Sequence, residues 1–275
     1  MDKGYSVHRL PPIYECLKEA FLFQLQRRLD NRTEVFFISY PKAGRSWLRV
    51  MLGEYICEKY HVSKKFLTQT YLLSKKAAIS RMIFSHGQLR MGSRSNRSYP
   101  MDFYKTKKVI LLTRNIKDVM VSLYFQATKR MGRSEVIFSD FLWSYPFPVM
   151  NFIDFSNFWY ENQSVPRDFL LLTYEGTKDD PEKSLKRILE FIGIQDINLE
   201  IVKNAVEFAS FGNMRKRERQ GKRRDRRYRP GDFDDEESYK TRRGIVGGYV
   251  DYLSAEDIEL IDILAKRLGN PFVIY

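Results

Sequence analysis

Cysteine, histidine and long apolar runs are all scarce in this chain. Only Cys16 and Cys57 occur among 275 residues, far apart and without metal-ligand spacing. That excludes a small disulfide-stapled domain and suits reduced thiols in an intracellular protein. No run of about 18 apolar residues exists, so no spanning helix is expected. The stretch 136–155 comes nearest, but Asp140, Pro146, Pro148 and Asp154 interrupt it. The opening MDKGYSVHRLPP lacks the apolar core of a secretory signal, and a cytoplasmic location is the expectation. No Pro/Gly/Ser-rich linker divides the sequence. One domain over 1–275 is therefore expected: a helical lead-in over 1–32, an α/β core over 33–209, a basic loop over 210–250 and a closing helix within 251–275.

Charge of one sign is abundant. The net charge is +13, which favours anionic partners. The run 215–229 (RKRERQGKRRDRRYR) alone carries +8, leaving +5 for the rest. No recognised nucleic-acid-binding motif accompanies this run, so a nucleic-acid partner is not expected, although a basic nucleic-acid-binding protein stays as a rival reading.

Four short apolar runs, Val35–Ser39, Met82–Ser85, 109–113 and 169–173, lack period-2 alternation and read as strands covered on both faces. Helical spacing follows over 47–60, 118–130, 151–162, Pro181–Phe191 and 254–268, with 13–29 as a leading amphipathic helix. Ser254 reads as an N-cap and Gly269 as the residue past the helix end. Strands alternating with helices predict an α/β three-layer sandwich with a mostly parallel central sheet.

The first strand runs into SYPKAGRSW (39–47) and then directly into a helix. Small residues, one lysine and a hydroxyl at a strand–turn–helix junction suit a phosphate cradle: backbone N–H groups approach the oxyanions and the helix start adds positive charge. An ordinary βα turn with an incidental lysine fits this segment too. The pattern is not G-x-x-x-x-G-K-[ST], because the lysine precedes the glycine, and acidic magnesium ligands are not evident. A nucleotide-kinase-like protein is the other rival reading.

YPKAGRSW resembles the 5′-phosphosulfate loop of the sulfotransferase family, usually written YPKSGTTW. The resemblance implies that Lys42 meets the bridging oxygen of 3′-phosphoadenosine 5′-phosphosulfate, and that Ala43, Gly44, Arg45, Ser46 and Trp47 complete the loop. Arg45 stands where a threonine is usual. It further implies a topology like that of P-loop nucleotide kinases.

The third strand leads into RNIKDVMVSLY (114–124). Read alone, Arg114 either pairs with Asp118 or binds a ligand at the sheet's carboxyl edge. Asp118 reads as a contributor to the helix cap. The segment resembles the family's 3′-phosphate motif R-N-P-K-D-x-x-V-S, which implies that Arg114 and Ser122 bind the 3′-phosphate. Downstream, LTYE (172–175) resembles the family's Y-E-D segment, placing Tyr174 near the adenine. ASFGNM (209–214) resembles T-S-F-K-x-M, which implies Ser210, Phe211 and Met214 around the adenosine. TRRGIVGGY (241–249) resembles R-K-G-x-x-G-D-W, which implies that Arg242, Arg243 and Gly244 close over the 3′-phosphate, with Tyr249 in place of tryptophan. The resemblance spans roughly 33–268.

Of His8, His61 and His86, only His86 follows a strand directly, in FSHG (84–87). A histidine held by a backbone partner and a catalytic one are both open on the residues alone. The family resemblance implies a base that takes the acceptor's proton, with Phe84 standing where many members have a lysine. It also implies sulfuryl transfer to a hydroxyl or amine of a small-molecule or glycan acceptor, without a metal. The aromatics of 138–160 line a pocket or fill a core; the sequence leaves both open, as it does the oligomeric state. The stretch 215–250, tethered at both ends to cofactor-like segments, is expected to act as a lid, a polyanion-acceptor site or a solvated loop.

Overall fold

The structure, a computed structural model, describes residues 27–87, 99–132, 136–143, 148–221 and 230–274. Most of the expected 13–29 helix, residues 144–147 of the aromatic stretch and residues 222–229 of the basic run lie outside them. The chain divides into two units, 1–33 and 34–275. In the first, residues 27–31 are helical, and the Thr33 hydroxyl donates to the Leu29 carbonyl at 2.9 Å.

In the second unit, the described strands β1 (Val35–Ser39), β2 (Met82–Ser85), β3 (Lys108–Thr113) and β4 (Asp168–Thr173) form one sheet in the order β2-β1-β3-β4. Every pairing is parallel, with Val35 opposite both Met82 and Lys108, and Lys108 opposite Asp168. Successive side chains alternate between the faces. Val35 and Phe37 enter a core with Leu48, Met51, Leu52, Leu185 and Leu189, whereas Phe36 and Ile38 enter one with Val119, Met120, Phe152 and Trp159. Two such cores make three layers, and they explain why the strands show no polar face.

The helices form where the apolar spacing placed them, with ends moved by capping. Arg45–Lys59 begins just past Gly44, and Pro181–Phe191 has Asp180 accepting from Lys183 N. Ala255–Leu268 is capped by Ser254, but Gly269 is extended (φ −87°, ψ −179°) rather than left-handed. Helix Ile116–Phe125 is capped by Asn115, whose side chain accepts from Lys117 and Asp118 N, so the expected role of Asp118 is corrected: its carboxylate is used elsewhere. The helix 118–130 read from the sequence is two elements, since after Phe125 the chain widens into a π-type turn, Gln126–Arg130. The short helices Thr70–Lys76, Phe138–Trp143 and Tyr174–Asp179, and the pair Leu199–Phe208 and Phe211–Arg219, were not singled out by periodicity.

The chain leaves β1 for β2 on one side and returns to β3 on the other. The carboxyl ends of β1 and β3 therefore flank a topological switch point, where crevices open in such sheets.

Candidate active site

A cavity of 750 Å³ lies at that switch point. Its wall includes Lys42, Gly44, Arg45, Ser46 and Trp47 after β1, His86 after β2, and Arg114 and Ser122 after β3. Tyr174 follows β4, and Ser210, Phe211, Met214, Arg242, Arg243 and Gly244 arrive from the C-terminal third. Every candidate site residue read from the sequence lines this space except Ala43, whose methyl is buried in the core.

The β1 turn is held in an unusual backbone shape. Lys42 has φ 71°, uncommon for a residue with a Cβ, and Gly44 has φ 90°. A Cβ on Gly44 would stand 2.5 Å from the Tyr174 ring, so the glycine is needed for both its conformation and its closeness. Trp47 meets the same ring edge-on, with centroids 5.8 Å apart. The Lys42 ammonium donates to Gln126 Oε1 at 3.2 Å.

Arg114 ties the two turns together. Its guanidinium donates to the Lys42 carbonyl (3.3 Å), lies over the Tyr174 ring (4.2 Å) and pairs with Asp118 (3.5 Å). Asp118 in turn accepts from Gly247 N at 3.0 Å, which anchors the 242–248 loop over the crevice. Thus the bland reading of Arg114, pairing with Asp118, holds in this structure, and it coexists with placement in the cavity wall. Lys178 donates to the Gly244 carbonyl, and a Cβ on Gly244 (φ 63°) would meet the Phe211 ring at 2.6 Å. Arg242 pairs with Glu237 at 2.9 Å and Arg243 with Asp251.

Both nitrogens of His86 are engaged. Nδ1 lies 2.9 Å from the Ser39 carbonyl and Nε2 lies 2.7 Å from Arg45 Nη2. A carbonyl only accepts and a guanidinium only donates, so the ring is neutral, protonated at Nδ1, with its Nε2 lone pair taken by Arg45. Burial and the Arg45 charge push the pKa of His86 down to about 4. Phe84 stacks on Phe37 (4.3 Å) and carries the Arg49 guanidinium on its ring (4.7 Å).

Several residues of the site escaped the sequence reading. Glu218, one of two acids in the basic run, is fully buried; it accepts from Lys240 N, Thr241 N (2.9 Å) and Thr241 Oγ1 (2.6 Å) and pairs with Arg130 (3.2 Å). The signal was there: a lone glutamate among ten cations. Glu218 and Lys240 both line the cavity. Burial, with Lys240 and Arg130 nearby, pushes Lys42 down to about 7. Burial, Arg130, Arg49 and Arg45 bring Lys240 down to about 8. Among the described residues no group of three or more His, Cys, Asp or Glu is placed to hold a metal ion, and no helix is long and apolar enough to cross a membrane.

Of the aromatics left open by the sequence, Phe152, Phe155 and Trp159 pack in the core, whereas Phe141 reaches the cavity with Pro148, Asn151 and Met131. Residues 144–147, between Trp143 and Pro148, lie outside the described residues.

Comparison with known proteins agrees with this fold. Mouse sulfotransferase SULT7A1, solved in complex with PAP, superposes with a TM-score of 0.61 at 22% identity, covering 87% of this chain and 85% of that one. Retinol dehydratase, solved with androsterone and the inactive cofactor PAP, gives 0.58 at 17% identity, covering 87% and 83%. Among curated relatives, cytosolic sulfotransferase 10 of Arabidopsis thaliana is 24% identical over 267 residues, covering 86% of this chain and 78% of its own. Sulfotransferase 2A1 of Macaca fascicularis is 27% identical over 254 residues, covering 85% and 83%. The profile of the sulfotransferase domain matches residues 32–268, and with the cation-bearing turns after β1 and β3 opening into one cavity, the chain belongs to the sulfotransferase family.

Proposed function

We propose that the protein transfers the sulfuryl group of 3′-phosphoadenosine 5′-phosphosulfate to a hydroxyl or amine of a small-molecule or glycan acceptor. The observation that carries this reading is the joining of two cationic turns on neighbouring strands. Arg114 after β3 donates to the carbonyl of Lys42 after β1, and both face one cavity. A ligand with anionic groups at two ends suits that pair. The Gly44 cradle against Tyr174, and Phe211 beside Gly244, supply flat surfaces for a purine between them.

The donor brings an activated sulfuryl group, and the chain's residues supply the rest. Lys42 offers positive charge where the bridging oxygen gains negative charge as the sulfur–oxygen bond breaks. A lysine that burial has lowered to about 7 is costly to keep charged in the free protein. A donor anion removes that cost by pairing with it. His86, neutral and fixed at Nδ1 by the Ser39 carbonyl, takes the acceptor's proton at Nε2 as the new oxygen–sulfur or nitrogen–sulfur bond forms. Arg114, Ser122, Arg242 and Arg243 hold the 3′-phosphate. Phe141, Pro148 and Asn151 border the acceptor's side of the cavity.

Two measurements test the reading. Calorimetry without magnesium is expected to show the 3′,5′-bisphosphate bound at least tenfold tighter than ATP; equal affinity would leave Arg114 and Ser122 with no 3′-phosphate to read. His86→Asn is expected to lower turnover by about 10²–10⁴ with bisphosphate affinity near wild type, and unchanged turnover removes His86 from the mechanism. An acceptor screen with radiolabelled donor then identifies the substrate.

A further inference from the structure

We infer that Arg45 is a positioning residue that withholds the base until the donor arrives: with the crevice empty its guanidinium occupies the Nε2 lone pair of His86, and the donor's phosphosulfate draws it away. The inference rests on the donor and base assignments proposed above. It starts from the 2.7 Å contact between Arg45 Nη2 and His86 Nε2. The other ring nitrogen is committed to the Ser39 carbonyl at 2.9 Å, so the imidazole has no second lone pair to offer. In this arrangement His86 cannot receive a proton.

Arg45 is also a residue of the turn that faces the phosphosulfate, one position past Gly44, and it lines the same cavity. A guanidinium prefers a sulfate or phosphate oxygen to a neutral imidazole, since the anion offers a charge and two acceptor atoms at once. Donor binding therefore moves Arg45 from the base to the anion, and the freed Nε2 then faces the acceptor's proton. Where a threonine stands at this position no such lock forms, because its short side chain carries no cation.

The groups that face His86 are Arg45 and Arg49 from the helix after β1, the Ser39 carbonyl from β1 itself, and Lys240 from the C-terminal loop. Arg45 contributes the largest charge effect among them, after burial. Its departure, with an anion taking its place, lets the ring accept a proton more readily.

Nitrogen-15 spectra of the imidazole read this directly. In free wild-type protein the unprotonated Nε2 signal is expected at the upfield position of a hydrogen-bonded acceptor, and addition of 3′-phosphoadenosine 5′-phosphosulfate without acceptor moves it downfield. In Arg45→Thr the signal is downfield from the start and moves little with donor, and His86 titrates about one pH unit higher than in free wild type. The wild-type pair of spectra needs no variant, so a misfolded Arg45→Thr leaves the test intact. A signal unchanged by saturating donor in wild type overturns the handover while leaving the proposed activity standing. A donor that does not bind sinks both. Wild-type turnover in His86→Asn removes the base, and the withholding falls with it, whatever the spectra show.

Discussion

The two ends of the crevice hold their cations in opposite ways. At the end assigned to the 3′-phosphate each arginine has its own carboxylate: Arg114 pairs with Asp118, Arg242 with Glu237 and Arg243 with Asp251. At the end assigned to the sulfuryl group, Lys42, Arg130 and Lys240 share Glu218. Pairing holds the first set in place, so on the proposed function the 3′-phosphate competes with carboxylates and is selected by geometry. Burial first, and then crowding by neighbouring cations, brings Lys42 and Lys240 down to about 7 and about 8. One end is neutralised in advance, and the other is left wanting an anion. On the proposed function, that difference lets one site grip the nucleotide and still spend charge on the leaving group.

The sharpest way to break this contrast is to remove one cation from each end. Lys42→Ala is expected to slow turnover by about 10²–10³ while weakening bisphosphate binding much less, since its charge is worth most as the leaving oxygen becomes anionic. Arg114→Ala is expected to do the reverse, with affinity for the bisphosphate falling by more than its turnover at saturation. Steady-state kinetics with calorimetry separates the two, and matching losses in both variants would erase the distinction.

The next effect falls on stability rather than turnover and concerns the shared carboxylate. Glu218→Gln leaves Arg130, Lys240 and Lys42 without their common partner, and loss of one member of a buried ion pair costs about 3–5 kcal/mol. Urea unfolding is expected to show that loss, with saturating bisphosphate restoring part of it. Stability equal to wild type would mean the cluster is solvated and its crowding carries no cost.

The smallest effect is a fraction of a proton. Lys42 lies near 7 in the free protein because burial and neighbouring cations disfavour its charge, so above pH 7 it is largely neutral. An anion beside it raises the pKa again, so binding takes up protons and affinity falls as pH climbs from 7 to 9. Calorimetry at pH 8 in buffers of different ionisation enthalpy is expected to show uptake of up to about one proton, reduced in Lys42→Ala. No uptake would mean that Lys42 already carries its charge in the free protein, and the contrast between the two ends would lose its basis.

Much of the fold and most of the site were legible in the residue order. Short apolar runs with no polar face predicted covered parallel strands, and β1 and β2 begin and end where those runs do. The residues at the strand ends fell into one cavity because a parallel sheet places all its carboxyl ends on one edge. Local chemistry was enough for these, since hydrophobic run length, turn residues and caps act over a few neighbours. What the sequence left undecided depended on partners far along the chain. Glu218 read as one minus sign in a basic run, and only its approach to Arg130 and Thr241 makes it a buried hub. Arg114 read equally as ion-pair partner or ligand, and the fold shows it as both a partner of Asp118 and a wall of the cavity. Arg45 and His86 stand 41 positions apart, and their contact exists only because β1 and β2 are neighbours in register. The sequence by itself determined which strands and turns exist and which of them carry cations. The tertiary structure decided which charges share a carboxylate and which lone pair is covered, because burial and distance between remote segments set those energies.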